Sequence, residues 1–270
     1  MRGIIGVIHM PAMPGDPAFA GTNGFAGVQR FALHDAEALV EGGVDALIIE
    51  NFGSAPFVKG TEGERLPAHQ VAALALVAAE CKRRFDVPVG VNCLRNDAMS
   101  ALGIAAAAGL DFIRVNVHIG AYVTDQGIIE GEAHRTVRYR SSLGGSQIRM
   151  LADVLVKHAS PLVPIDLESA THDTLARGHA DAVIVTGPAT GSPISRAVLE
   201  SVRQAAGKQP VLLGSGVNED NIGDLLPLAD GAIIGTTFKT GGVLSAPVDT
   251  ARVRRLTELA RSLPRWSGGS

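Results

Sequence analysis

Short, nearly continuous apolar runs alternate along the chain with segments whose apolar residues recur every three or four positions. The first run, GIIGVIH from Gly3 to His9, predicts a buried strand. The segment GVQRFALHDAEALVEGG after it sets Val28, Phe31, Ala32, Leu39 and Val40 on one helical face and stops at Gly42 and Gly43. VDALIIEN, VPVGVN and LDFIRVNV read as the next three strands, with helices over Leu66 to Phe85 and Asn96 to Ala108 between them. A long insertion, HIGAYVTDQGIIEGEAHRTVRYRSSLGG, precedes a predicted helix ending near Lys157. PLVPID reads as the fifth strand, followed by a short helix capped by Thr171. ADAVIVTG is the sixth, its helix opening at Ser192 and Pro193, a capping residue before a first-turn proline. QPVLLGSG is the seventh, with a short helix over Asn218 to Leu226, and ADGAIIG the eighth. Val253, Leu256, Ala260 and Leu263 mark the last helix.

Eight strand–helix units whose strands lack alternation, as strands buried on both faces should, predict a (β/α)8 TIM barrel of α/β class in a single domain. The expected bounds are residues 1–264 for the barrel, with a long loop over 117–145 after the fourth strand, and 265–270 as a flexible C-terminal tail. A doubly wound open sheet would use fewer strands and a glycine-rich turn after the first. Here the first strand runs into HMPAMPG, which offers no such turn.

Composition narrows the partners. Hydrophobic residues make up 46% and charged residues 19% of 270, and the net charge is −3 without a basic run, so neither disorder nor nucleic-acid binding is expected. Cys81 and Cys93 make neither a disulfide framework nor a zinc motif, which fits a reducing cytoplasm. His9 and Pro11 interrupt the apolar start before it resembles a signal peptide, and no apolar segment reaches membrane-spanning length.

In such a barrel chemistry gathers at the carboxyl ends of the strands. Those ends supply His9, Glu50 with Asn51, Asn92, Asn116 with His118, Asp166 with Glu168, and Thr186. His9, Glu50 and Asp166 are the candidate acid–base set. Asn51, Asn92, Asn116, His118 and Thr186 are candidates for binding a substrate. The bland alternatives are a histidine bonded to the barrel rim and a Glu50–Arg114 ion pair. Glycines and hydroxyls after the last strands suit a phosphate: Gly187, Thr190, Gly191, Gly214, Ser215, Gly216, Gly235 and Thr236. Tight turns alone also ask for glycine there. In the long loop, Arg138 and Arg140 would bind a second anionic group if the loop folds over the mouth. A solvated segment or subunit contact explains them equally.

No predicted strand ends in lysine: Lys59 falls in a loop, Lys157 near a helix end and Lys239 past the eighth strand, so imine chemistry is disfavoured. No cofactor is expected. His9, His118, Glu50 and Asp166 leave a divalent metal as the minority alternative, without a ligand-spacing motif to support it. The expected partner is a small phosphorylated molecule, not nucleic acid or membrane, and homo-oligomers are allowed although no interface is legible.

The elements GVIHMPAMPGDP, ALIIENFGSAPF, VGVNCLRND, FIRVNVHIGAYVTDQGIIEG, RYRSSLG, VIVTGPATG and VLLGSGV, in this order over nearly the whole chain, resemble the BtpA/SgcQ family. The resemblance implies a barrel similar to the ribulose-phosphate-binding barrels. One cyanobacterial branch of that family is linked to photosystem I accumulation and another lies beside sugar-uptake genes, and neither link names a reaction. The expected function is therefore an enzyme acting on a phosphorylated sugar or ribosyl compound, by isomerisation or glycosidic-bond cleavage. The alternative is a non-catalytic assembly or regulatory factor that kept a ligand site.

Overall fold

The computed structural model describes residues 2–21, 23–187 and 194–263. Among them, eight parallel strands close into a barrel: β1 (Gly3–His9), β2 (Ala46–Glu50), β3 (Val89–Asn92), β4 (Phe112–Val115), β7 (Arg149–Leu155), β9 (Ala182–Val185), β10 (Val211–Leu213) and β11 (Gly231–Ile234). Helices α1 (Gly24–Glu41), α2 (Ala68–Arg84), α3 (Ala98–Ala108), α4 (Ala133–Ser142), α5 (Leu167–His172), α6 (Arg196–Ala206), α7 (Ile222–Leu225) and α8 (Thr250–Ser262) follow the strands in turn. No helix among the described residues is long and apolar enough to cross a membrane.

The fifth strand is not where the sequence pattern placed it. Arg149–Leu155, read as the end of a helix, is the barrel strand β7. The helix of that unit, α4, lies inside the predicted insertion. PLVPID begins in β8 (Ala159–Pro161), which leaves the barrel and pairs with β5 (Ala121–Thr124). β5 pairs in turn with β6 (Gly127–Glu130), giving a three-stranded antiparallel sheet beside the mouth. Asp166 caps α5 by accepting a bond from the Ser169 amide, so Thr171 is not the cap; it lies buried inside the helix, bonded to Leu167 O. The predicted helix start at Ser192 and Pro193 lies outside the described residues, as does the predicted tail. The described helix begins at Arg196 with Ser195 in the N-cap position.

Alternate residues of each barrel strand point inward. Ile5, Val7, Ala46, Ile48, Phe112, Leu151, Ala182, Ile184, Leu212 and Ile233 form the barrel's own apolar core, and the opposite faces pack on the helices. Gly90 makes room for the Phe112 ring, because a β-carbon there would lie 2.3 Å from Phe112 Cε2.

At the amino end of the barrel one motif occurs four times. Asp45, Asp111, Asp181 and Asp230 each stand just before a strand and accept a bond from an amide of the preceding barrel strand: Ile4 at 2.7 Å, Val89 at 2.8 Å, Met150 at 2.7 Å and Val211 at 3.0 Å. Each also meets a cation from the helix that precedes that strand in the ring, α8 standing before β1: Arg261 at 3.6 Å, and Lys82, Arg140 and Arg203 each at 2.7 Å. Arg140 is therefore part of this collar at the foot, remote from the mouth where the sequence reading placed it.

Candidate active site

The inward alternation that builds the apolar core continues past it for one more layer, and that layer is polar. From Ile5 and Val7 the next inward residue is His9; from Ala46 and Ile48 it is Glu50; from Phe112 it is Arg114; from Leu151 it is Asp153. Strand register sets His9 beside Glu50 and Glu50 beside Asn92. On β10 and β11 the same positions are Gly214 and Gly235, which leave that side of the mouth open.

Buried charges are acceptable in this layer because they are paired. Arg114 binds Asp153 through Nε and Nη2, each at 3.1 Å, and reaches Glu50 through Nη1 at 3.4 Å. Asn92 donates to Glu50 at 3.0 Å and Asn116 to Asp153 at 3.0 Å. The Glu50–Arg114 pair thus exists, but the guanidinium's closer partner is Asp153. Burial alone would raise the pKa of Glu50. The charge of Arg114, with those of His9 and Lys157 and the Asn92 bond, outweighs it and holds the carboxyl below its ordinary value. His9 moves the other way from a charged histidine: burial, opposed by Glu50 and reinforced by the cations nearby, brings it down to about 4. Near neutral pH the site therefore pairs a carboxylate with a neutral imidazole. Among the described residues the buried His9 Nδ1 has no hydrogen-bond partner, and its ring meets Phe52 edge-on at 5.0 Å. The other face of that imidazole requires glycine at 235, since a β-carbon there would lie 2.3 Å from His9 Cε1.

Two lobes of the mouth meet at Glu50, Arg114 and Lys157. The first, about 300 Å³, lies between His9 and the loops after β10 and β11, where Gly214, Ser215, Gly216, Gly235 and Thr236 line it. The second, about 390 Å³, is bounded by Phe52, Phe57, Asn92, Arg95 and Asn116. Both volumes suit part of a small molecule.

Several expected residues lie elsewhere. Asn51 spends its amide on the backbone of Leu94, accepting from its amide at 2.7 Å and donating to its carbonyl at 3.0 Å. It braces a loop. His118 Nε2 donates to Gly178 O at 2.7 Å, and the residue lines a separate groove under the three-stranded sheet, together with Arg138 and the exposed Asp166. Thr186 Oγ1 donates to Leu155 O at 2.6 Å, and Thr186 and Gly187 line a third, smaller pocket next to the first lobe, where the Gly187 amide donates to Ser215 Oγ at 3.3 Å. Thr190 and Gly191 lie outside the described residues. Lys239 is fully buried in an ion pair with Asp35 of α1, away from both lobes. Both cysteines are buried thiols, Cys81 pushed up to about 12 and Cys93 well above its ordinary value by burial, so neither is a poised nucleophile. Among the described residues no three His, Cys, Asp or Glu side chains are grouped to hold a metal ion.

The position of Asp166 gives a direct test. Asp166→Ala removes a helix cap on an exposed turn, so a slight fall in Tm is expected. Affinity for any ligand of the mouth should stay within about twofold, measured by titration calorimetry against wild type.

Asp153, Lys157, Arg95 and Arg252 line or brace the mouth and were not expected from the sequence. The first two follow from the displaced fifth strand. Arg95 Nη2 donates to Lys157 O at 2.7 Å, holding the backbone that carries the lysine. Arg252 of α8 donates to Thr237 O at 2.8 Å and lines the glycine-rich lobe. An arginine at the start of the last helix in a barrel whose last loops suit an anion is the signal that was available.

The profile of the BtpA family matches residues 1–262. The photosystem I biogenesis protein BtpA of Synechocystis sp. is 45% identical over 255 residues, covering 94% of this chain and 86% of that protein. The putative sgc region protein SgcQ of Escherichia coli is 31% identical over 98% of this chain and 96% of its own length. Among solved structures, N-(5'-phosphoribosyl)anthranilate isomerase from Pyrococcus furiosus superposes with a TM-score of 0.56 at 13% identity, covering 96% of this chain and 99% of that one. At that identity the likeness is one of fold.

Proposed function

The chain belongs to the BtpA family, and from the make-up of its barrel mouth we propose that it is an enzyme moving protons on a phosphorylated sugar or ribosyl-type small molecule. One observation carries the reading: a single cavity has Glu50 and His9 on one wall and the glycine-lined ends of β10 and β11 on the other, with the surrounding charges favouring a carboxylate and burial a neutral imidazole. Glu50, oriented by Arg114 and Asn92, is positioned to accept a proton, although the cations around it make it a weaker base than a free glutamate. A neutral imidazole beside it can hydrogen-bond a sugar oxygen and stabilise charge developing there. The bare backbone of Gly214, Gly216 and Gly235, with Ser215, Thr236 and the Arg252 guanidinium, would take the phosphate. Asn92 and Asn116 would meet hydroxyls in the second lobe. Asp166 has no part in this scheme. The reaction is isomerisation at C1/C2 or cleavage of the bond to a base.

Titration with ribose 5-phosphate and with ribose tests the pocket. The phosphate ester should bind, the plain sugar at least about tenfold more weakly, a difference of one good charge-assisted contact. A thermal-shift panel of phosphorylated sugars, nucleosides and nucleotides, with and without divalent metal, should then identify the substrate class. No stabilisation by any phosphosugar would overturn the reading.

A second reading, an assembly factor that retains a ligand site, has its own support. Val123, Ile128, Leu162 and Val163 are 46%, 47%, 51% and 65% exposed on and beside the three-stranded sheet. A factor of that kind should keep its cellular role in His9→Ala and Glu50→Ala chains, whereas an enzyme should lose turnover in both.

A further inference from the structure

Lys157 is the chemically capable group of the mouth that the acid–base scheme leaves unused. It follows β7 by two residues, beyond an irregularity in which Asp153 and Leu155 face consecutive residues of β9, a feature that re-aims the side chains after it. It lines both lobes of the mouth. The other lysines differ: Lys82 and Lys239 are ion-paired with Asp111 and Asp35, Lys208 is exposed, and Lys59 lines neither lobe. Among the described residues the Lys157 amine has no hydrogen bond or ion pair; its close neighbour is the Phe52 ring, 5.9 Å from Nζ. Arg95 clamps its backbone carbonyl. Burial, with the charge of Arg114 and against the attraction of Glu50 and Asp153, lowers its pKa and so raises the share of free amine.

We propose that Lys157 captures the carbonyl carbon of the substrate as an imine, which makes the substrate a sugar phosphate in its open-chain aldehyde or ketone form. The proposal rests on the phosphosugar reading above and deepens it. The Nζ lone pair forms the C–N bond while the carbonyl π pair moves to oxygen. Counted from the ammonium form, two of its hydrogens leave with that oxygen as water, and a protonated C=N bond remains. Glu50 then removes a proton from the adjacent carbon, and the released pair forms a C=C bond as the C=N pair returns to nitrogen. Reprotonation of that same carbon by solvent from its other face restores the protonated C=N bond. Water then adds to it and expels the lysine amine, so the net change is inversion at the carbon beside the carbonyl, an isomerisation without any change in oxidation level. A glycoside has no free carbonyl, so this chemistry favours isomerisation over cleavage of a bond to a base.

The test is reductive trapping on the full chain. Protein is incubated with dihydroxyacetone phosphate or ribulose 5-phosphate, reduced with borohydride, and analysed by intact mass and peptide mapping, and titration calorimetry measures binding of the same two compounds. The expected result is one adduct per chain on Lys157, exceeding labelling of Lys59 and Lys208 by about tenfold, because the amine that lines the pocket meets the bound carbonyl at high effective concentration. Lys157→Met and Lys157→Arg should lose the adduct while keeping the wild-type unfolding curve. Binding without an adduct, or labelling spread evenly over Lys59 and Lys208, overturns the imine and leaves the phosphosugar reading standing. Failure of both compounds to bind, with no adduct, removes both.

Discussion

Arg114→Met is expected to destabilise the protein by about 3–5 kcal/mol at pH 7, because it strands buried carboxylates that the guanidinium now neutralises. Glu50 and Asp153 are 3% and 5% exposed, so solvent cannot replace the lost partner. The loss should depend on pH, and its sign follows from Glu50. In the wild type its folded pKa lies below the unfolded value of 4.5, so its contribution to stability is present above that value and fades as pH falls through the folded pKa. Without Arg114, burial becomes the dominant influence and should raise the folded pKa above the unfolded one. The ionised group then costs stability at neutral pH, and the cost shrinks as acid protonates it. The gap between variant and wild type in urea unfolding should therefore be widest at pH 7 and narrow toward about pH 5. A gap under about 1 kcal/mol, or one flat across that range, would show that the charges in the mouth are better solvated than their burial indicates.

Lys239→Met should cost a similar amount, about 3–5 kcal/mol, for a reason unrelated to the mouth. Asp35 and Lys239 are both fully buried, joining α1 to the segment after β11, and Asp35 also accepts from the Val248 amide at 2.8 Å. Methionine matches the stem of lysine but leaves the carboxylate without its cation. The double variant Asp35→Asn with Lys239→Met removes both charges and keeps an oxygen for the Val248 amide, so about half of the lost stability should return. Thermal unfolding of the two variants measures it. If the double variant is no more stable than the single one, lost packing and not a stranded charge explains the defect.

Much of the barrel was legible because parallel strands with helices on one side and a filled interior on the other must be apolar on both faces. GIIGVIH, ALIIE and AVIV fall where their runs predict. The same property hid the fifth strand: a run buried on both faces has no alternation, and periodicity cannot separate it from a buried helix. RMLADVL holds several good helix formers, and Asp153 in its middle interrupts the apolar run, whereas in the structure it points into the barrel to meet Arg114. PLVPID, with the β-branched Val163 and Ile165, then took its place and brought Asp166 into the expected site. The error also moved Lys157 from just past a strand end to a helix end, which was the ground on which imine chemistry was set aside. His9, Glu50 and Asn92 stand at the mouth as expected because they end strands that were placed correctly. Asn51, one residue past Glu50, was not distinguishable from them until the inward face of β2 was fixed.

The aspartate collar at the foot has a consequence for how the wall is joined. Each carboxylate ties β2 to β1, β4 to β3, β9 to β7 and β11 to β10, so the clasps fall on every second seam. The barrel is thus a ring of four quarters, each two strands wide and sealed at its base by the same ionic rivet. Partial opening should split the ring between quarters before it divides one, and amide exchange would register that as four pairs of strands exchanging together.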